Sequence, residues 1–110
     1  MKTSEIKFTV ELDEEQIPQS IMWEATDSGV EGQRPAKATM LTVWDGDNHT
    51  TLRIDLWTKD MLVEEMKRFF YENFMTMAET YQRATNDMHM SKEIKKFAEQ
   101  FGKEVEVVTP

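Results

Sequence analysis

The chain has 110 residues, of which twenty-one are acidic and thirteen basic, for a net charge of −8, and it contains no cysteine. A chain of this length builds one core, so we expect a single domain over residues 1–110. Without thiols, a disulfide scaffold, a thiolate metal site and a cysteine nucleophile are excluded. The acidic balance disfavours nucleic acid, whose phosphates are bound by Lys and Arg, and it disfavours an anionic membrane surface.

The N-terminal sequence MKTSEIKFTVELDEE carries charged residues every few positions and has no apolar run of signal-peptide length. No segment of the sequence approaches the ~20 consecutive apolar residues that a membrane-spanning helix needs. We therefore expect a cytoplasmic protein that is not inserted in a membrane.

Four segments have the pattern of β-strands. Alternating apolar and polar residues predict the first strand at residues 6–12. The other three strands are expected at residues 21–26, 37–44 and 50–57. The loop at residues 27–35 contains two Gly and one Pro. Long loops are favoured places for function, although a plain connector is the commoner case, so the role of this loop stays open.

After residue 60 the apolar period changes from two residues to 3.6, which predicts two helices. The first, at residues 62–84, has a broad apolar stripe made of Leu62, Val63, Met66, Phe69, Phe70, Phe74, Met77, Tyr81 and Ala84. Asn86 and Asp87 should end it. Ser91 is the expected N-cap of the second helix, and Gly102 is its expected end.

The predicted fold is therefore α+β. An antiparallel sheet of four strands packs against the long helix, and a shorter C-terminal helix follows. Residues 105–108 could add a fifth strand, but Thr109 and Pro110 leave it little room.

No residue pattern predicts catalysis, cofactor binding or metal binding. The sequence DGDNH at residues 45–49 begins like a calcium loop, but it lacks the Gly and Glu that such a loop needs, and we interpret it as a hairpin turn. Met88-His89-Met90 offers soft metal ligands, but too few of them, and we interpret it as a loop between the helices whose methionines fold onto the core. No Ser, His and acid fall into the pattern of a triad. We predict a protein that is not an enzyme.

Three apolar residues lie outside the predicted core positions. Trp57 shares a strand face with two charged residues, and Tyr71 and Met75 lie beside the stripe of the long helix. Large exposed apolar patches usually mark an interface, and two-fold pairing is the commonest symmetry of soluble homo-oligomers. We therefore predict a homodimer that associates through these residues. In the alternative, the second helix folds over Tyr71 and Met75, and the chain is a monomer.

Several runs of the sequence resemble the gliding-motility protein GldC family: WEATDSGVEGQRPAKATMLTVWD, TLRIDLWTKDM, EEMKRFF and MAETYQRAT. The resemblance covers nearly the whole chain. It implies a small soluble cytoplasmic protein that accompanies the gliding and type IX secretion machinery. It brings no catalytic or ligand-binding residues.

Two classes of function follow. The first is an adaptor that binds a protein partner of the gliding and type IX secretion machinery. A variant of this class is an export chaperone, because four strands followed by a long and a short helix also look like SecB in outline. The second class is an enzyme or small-ligand carrier with a pocket between the sheet and the loop at residues 27–35. Trp23, Trp44 or Trp57 in the lining would favour it.

Overall fold

The computed structural model describes residues 1–109, which form two compact units, the first over Met1–Met61 and the second beginning at Leu62. The first unit contains five strands: β1 Ile6–Leu12, β2 Pro18–Ala25, β3 Arg34–Ala36, β4 Ala38–Asp45 and β5 Thr50–Trp57. The second contains two helices: α1 Val63–Thr85 and α2 Met88–Glu104. The fold is α+β, as predicted. The packing of a sheet against the long helix stays a prediction.

The strands form two antiparallel sheets, which corrects the prediction of one four-stranded sheet. β1, β2 and β3 make the first sheet in that order, and β4 pairs with β5 in the second. The predicted strand at residues 37–44 is part of a longer segment that changes partner at Lys37, because β3 before it pairs with β2 and β4 after it pairs with β5. Alternation shows which side chains share a face, but it does not show where a strand changes neighbour.

The loop between β4 and β5 is organised by Asp45. Its carboxylate accepts hydrogen bonds from the amide of Asp47 and from the side chain of Asn48, both at 3.0 Å. Its carbonyl accepts from the amide of His49 at 2.9 Å, and His49 is left-handed at φ 52°. The DGDNH segment is therefore a hairpin loop, as predicted.

The long helix α1 is continuous and has its predicted ends to within one residue. At its start the amide of Leu62 donates to the carboxylate of Glu65 at 2.9 Å. At its end Asn86 is left-handed at φ 59°, and its amide donates to the carbonyl of Gln82 at 2.8 Å. These contacts satisfy backbone groups that a helix end leaves unpaired.

Helix α2 begins three residues before the predicted cap. Asp87 caps it, because its carboxylate accepts from the amide of Met90 at 3.0 Å and also from the hydroxyl of Tyr81 at 2.9 Å. The predicted cap, Ser91, is instead buried inside the helix, and its hydroxyl donates to the carbonyl of Ala78 at 2.8 Å. Met88-His89-Met90 thus forms the first turn of α2, with all three side chains exposed, and is not a loop folded onto the core.

Gly102 is not the end of α2, which continues to Glu104. A Cβ atom at Gly102 would lie 2.8 Å from the Tyr71 ring, so this glycine allows close packing. Residues 105–109 form no strand. The amides of Val107 and Val108 turn back to the carbonyl of Gly102 at 2.9 and 3.3 Å, with Glu106 left-handed at φ 64°. Because these amides donate to a carbonyl of the helix end, they cannot donate to a neighbouring strand.

Small residues join the two helices of the second unit. Ala78 of α1 and Ser91, Ala98 and Gly102 of α2 are all buried. Helix axes approach more closely where the contacting side chains are small. The larger apolar side chains consequently lie beside this seam, where they form the surface described next. No helix among residues 1–109 has the length and apolar content to cross a membrane.

Candidate protein-interaction surface

Four phenylalanines of the helical hairpin form one cluster, which we call the Phe cluster: Phe70, Phe74, Phe97 and Phe101. Phe74 of α1 is at its centre, with its ring 5.4 Å from that of Phe97 and 5.2 Å from that of Phe101, both edge to face. Phe70 contacts Phe74 edge to face at 6.2 Å. Edge-to-face pairing is a favourable geometry for aromatic rings, so the cluster is fixed by contacts within the hairpin.

The cluster is open to solvent on one side. Phe97 is 53% exposed, and Met77, on the same predicted stripe as Phe74, is 57% exposed. Among the described residues only three apolar side chains are buried, Ile21, Ala78 and Ala98. Contiguous apolar surface of this kind marks interaction sites in soluble proteins. The apolar stripe was predicted from the sequence, but its exposure was not.

A second apolar surface lies on the β4–β5 sheet. Three cross-strand pairs share one face, namely Thr39 with Leu56, Leu41 with Ile54 and Val43 with Leu52. Leu52 and Ile54 are 52% and 56% exposed. The fourth pair of this face, Asp45 with Thr50 at the hairpin end, carries its one charge. A two-stranded sheet alone is only marginally stable in water, so covering this face would stabilise it.

The three residues predicted to mediate self-association differ in exposure. Trp57, at the end of β5, is 55% exposed. Tyr71 and Met75 are half-buried in α1, and Tyr71 lies against Gly102 of α2. For Tyr71 this is the contact expected of the monomer alternative. The homodimer itself stays a prediction.

A cavity of about 300 Å³ lies beside the loop at residues 27–35, and its lining is polar. The lining residues are Glu5, Lys7, Glu24, Ala25, Thr26, Val30, Glu31 and Gly32. Lys7 and Glu24 pair across the cavity wall at 3.9 Å. None of the three tryptophans belongs to this lining, and pockets for small ligands are mostly apolar. This geometry gives the carrier hypothesis no specific support.

The perturbed carboxylates are explained by turns and helix ends. The ion pair with Lys59 and the hydrogen bond from the Ile17 amide hold the pKa of Asp13 below its usual value. The amide of Met90, followed by the hydroxyl of Tyr81, lowers the pKa of Asp87. Shifted pKa values often mark active sites, but here each has a structural cause. Within residues 1–109 no group of three or more acidic or His side chains is placed to hold a metal ion.

Sequence reasoning missed the seam between the helices. Ser91, Ala98 and Gly102 follow one another at intervals of seven and four residues, which places them on one face of α2. This stripe of small residues is the signal that could have identified the contact with α1. It was obscured because Ser and Gly are also typical of helix ends.

Two antiparallel sheets followed by a helical hairpin with exposed aromatic surface define a small α+β protein. The family model described as "Gliding motility-associated protein GldC-like" matches residues 18–107, and the chain belongs to this family. The resemblance found in the sequence is thereby confirmed, and the chain is a gliding-motility-associated protein. No curated protein and no solved structure matches the chain.

Proposed function

We propose that this chain is a non-catalytic adaptor of bacterial gliding. It acts in the cytoplasm and binds a protein partner of the gliding and type IX secretion machinery. The exposed side of the helical hairpin, formed by the Phe cluster and Met77, is the binding surface. The observation that carries this proposal is that Phe97 and Met77 are more than half exposed beside rings held in place by one another.

The chemistry of this surface suits protein recognition. Aromatic residues and Met are enriched at protein interfaces, and interface energy is concentrated in a few well-packed side chains. Covering side chains that are half exposed contributes roughly 1 kcal/mol for each of Phe97 and Met77. Because the rings already contact one another, little side-chain entropy is lost when the partner binds.

The charge of the hairpin indicates how the partner is bound. Residues 1–60 carry twelve acidic and six basic residues, a net charge of −6, whereas residues 61–110 carry nine and seven, a net charge of −2. The binding surface is thus part of the nearly neutral half of the sequence. Binding through apolar contacts should depend weakly on salt, since added salt mainly screens interactions between exposed charges.

The test is a pull-down from a gliding bacterium that expresses the tagged chain. Met77→Glu and Phe97→Glu each place a charge on the binding surface. Met88→Glu is the matched control, because Met88 is equally exposed, at 56%, but is in the first turn of α2. We expect a partner that is recovered with the wild type and with Met88→Glu and lost with the other two variants. Equal recovery with all four proteins would contradict the proposal.

The export-chaperone alternative predicts a different result in the same experiment. A chaperone binds many unfolded chains, so the recovered proteins would be numerous, and an excess of an unfolded protein would displace them. An adaptor recovers a defined partner that unfolded protein does not displace.

A further inference from the structure

Strand β5 has a free edge. It pairs with β4 along its whole length, Thr50–Trp57, and within residues 1–109 no strand pairs with its other side. Such an edge presents unpaired backbone groups that can pair with another chain, and proteins commonly block it with Lys, Pro or a bulge. β5 contains no Lys and no Pro, and its register with β4 is regular. The edge is therefore competent to pair.

The direction of the backbone groups along this edge follows from one hydrogen bond. The amide of Thr58 donates to the carbonyl of Lys37 at 2.8 Å, which continues the ladder beyond the pair of Trp57 and Ala38. In an antiparallel ladder the backbone groups of successive residues point to opposite sides. The groups that point to the free edge are consequently those of Thr51, Arg53, Asp55 and Trp57.

The side chains of β5 are arranged symmetrically about Ile54. Leu52 and Leu56 flank it at equal distance on the apolar face, and Arg53 and Asp55 flank it with opposite charge on the other face. Arg53 and Asp55 already bond to each other along the strand, at 3.0 and 3.2 Å. A two-fold interface requires this kind of self-complementary pattern, because residue i meets residue j and residue j meets residue i.

We propose that two copies of this chain associate through the free edge of β5, antiparallel and about a two-fold axis at Ile54. Arg53 of each copy lies opposite Asp55 of the other, and Leu52 lies opposite Leu56. The pairing adds about eight backbone hydrogen bonds and joins the two β4–β5 sheets into one of four strands. It also makes the exposed apolar faces of the two copies continuous.

Charge selects this register. Residues whose backbone groups point to the free edge must pair with such residues of the other copy, so the two-fold axis can move only by whole residues along the strand. An axis at Arg53 or at Asp55 then places two like charges directly opposite each other. Like charges in opposed positions destabilise a strand pair, whereas unlike charges stabilise it. Of the three central registers, only the one centred on Ile54 pairs unlike charges.

β3 and β4 are also edge strands, but β1 is the one with a self-complementary pair of charges, since Lys7 and Glu11 lie symmetrically about Thr9. Two observations favour β5. The register of β1 with β2 shifts between Glu11 and Leu12. Phe8 and Val10 of β1 are half-buried, whereas Leu52 and Ile54 of β5 are exposed.

Cysteine cross-linking tests the register, because the wild type contains no cysteine. Ile54→Cys places two thiols at the axis, with Cα atoms roughly 4.5 Å apart, within the range that a disulfide bridges. Leu52→Cys is the matched control on the same face, where the two equivalent Cα atoms are roughly 14 Å apart. Thr9→Cys reports on the β1 edge. Under mild oxidation we expect a covalent dimer with Ile54→Cys only.

Charge exchange provides a second test, by light scattering across the micromolar range. Arg53→Asp and Asp55→Arg each place like charges opposite in the homodimer, so each variant alone should be monomeric where the wild type is a dimer. An equimolar mixture of the two should dimerise again, because every opposed pair then has unlike charges. Circular dichroism of each variant verifies its folding.

A wild type that stays monomeric throughout this range overturns the proposal. So does cross-linking at position 52 or 9 as fast as at 54, or a mixture of the charge variants that stays monomeric. None of these results bears on the adaptor proposal, which concerns the hairpin and is read from partner recovery.

Discussion

Replacing Gly102 with Ala tests the close packing of α2 on α1. A Cβ atom at this position would lie 2.8 Å from two carbons of the Tyr71 ring and 3.0 Å from the side chain of Val108. In an exposed helix, Gly→Ala stabilises by about 1 kcal/mol. Extra atoms in a tightly packed site cost about 1–3 kcal/mol, because neighbours must move. Since the obstacle is an aromatic ring, we expect the second effect to dominate, with a net loss of about 1 kcal/mol.

Urea denaturation of the purified chain gives the free energy of unfolding. Gly46→Ala is the control, because no atom lies within 4 Å of a Cβ at Gly46, and its effect should stay within about 0.5 kcal/mol. In a Tyr71→Ala background, Gly102→Ala should cost less, because of the two side chains that the Cβ meets only that of Val108 remains. If Gly102→Ala stabilises the otherwise wild-type chain by about 1 kcal/mol, the close packing at this position is refuted.

Three further changes test the hairpin and its cap. Ser91→Ala removes the hydrogen bond to the Ala78 carbonyl, but Ala also favours helix. The free energy of unfolding measured with urea should therefore fall by only about 0.5 kcal/mol. An unchanged free energy of unfolding would contradict the role given to this hydroxyl. Phe74→Leu should destabilise the chain by about 1–2 kcal/mol, and by more than Phe97→Leu, because Phe74 makes three of the ring contacts and is less exposed. A larger loss of stability with Phe97→Leu would contradict the described cluster. The pKa of Asp87 is lowered in the folded chain, so its contribution to stability is present above its unfolded pKa of about 3.9 and is lost as the pH falls through the folded value. Thermal unfolding of Asp87→Asn should therefore depend less on pH in this acid range than thermal unfolding of the wild type. Equal dependence of the two proteins would contradict the stabilising role given to this carboxylate.

The helices and strands of this fold were predicted from the sequence better than the pairing of the strands with one another. The change of apolar period near residue 60 predicted the α+β class and the extent of α1, because periodicity reports which side chains share a face. Lys37 carries no pattern of its own, so the change of strand partner there could not be predicted. Asp87 and Ser91 are both good caps, and the structure favours Asp87 because Met90 and Tyr81 both donate to its carboxylate.

The candidate surface was predictable only in part. The stripe that contains Phe70, Phe74 and Met77 was evident from the spacing, and Trp57 was identified as an apolar residue on a charged face. The apolar period of a helix does not show whether another part of the protein covers the stripe, because the period is the same for a buried face and for an exposed one. The role of Gly102 was also hidden, since packing against Tyr71 depends on residues 31 positions apart in the chain.

The central claim is that the exposed side of the hairpin supports gliding. Its most direct test replaces the chromosomal gene of a gliding bacterium with the Met77→Glu or the Met88→Glu variant and measures the gliding speed of single cells at equal protein levels. Cells with Met88→Glu should glide like the wild type, and cells with Met77→Glu should glide like a strain that lacks the protein. Equal gliding of the two strains would contradict the account.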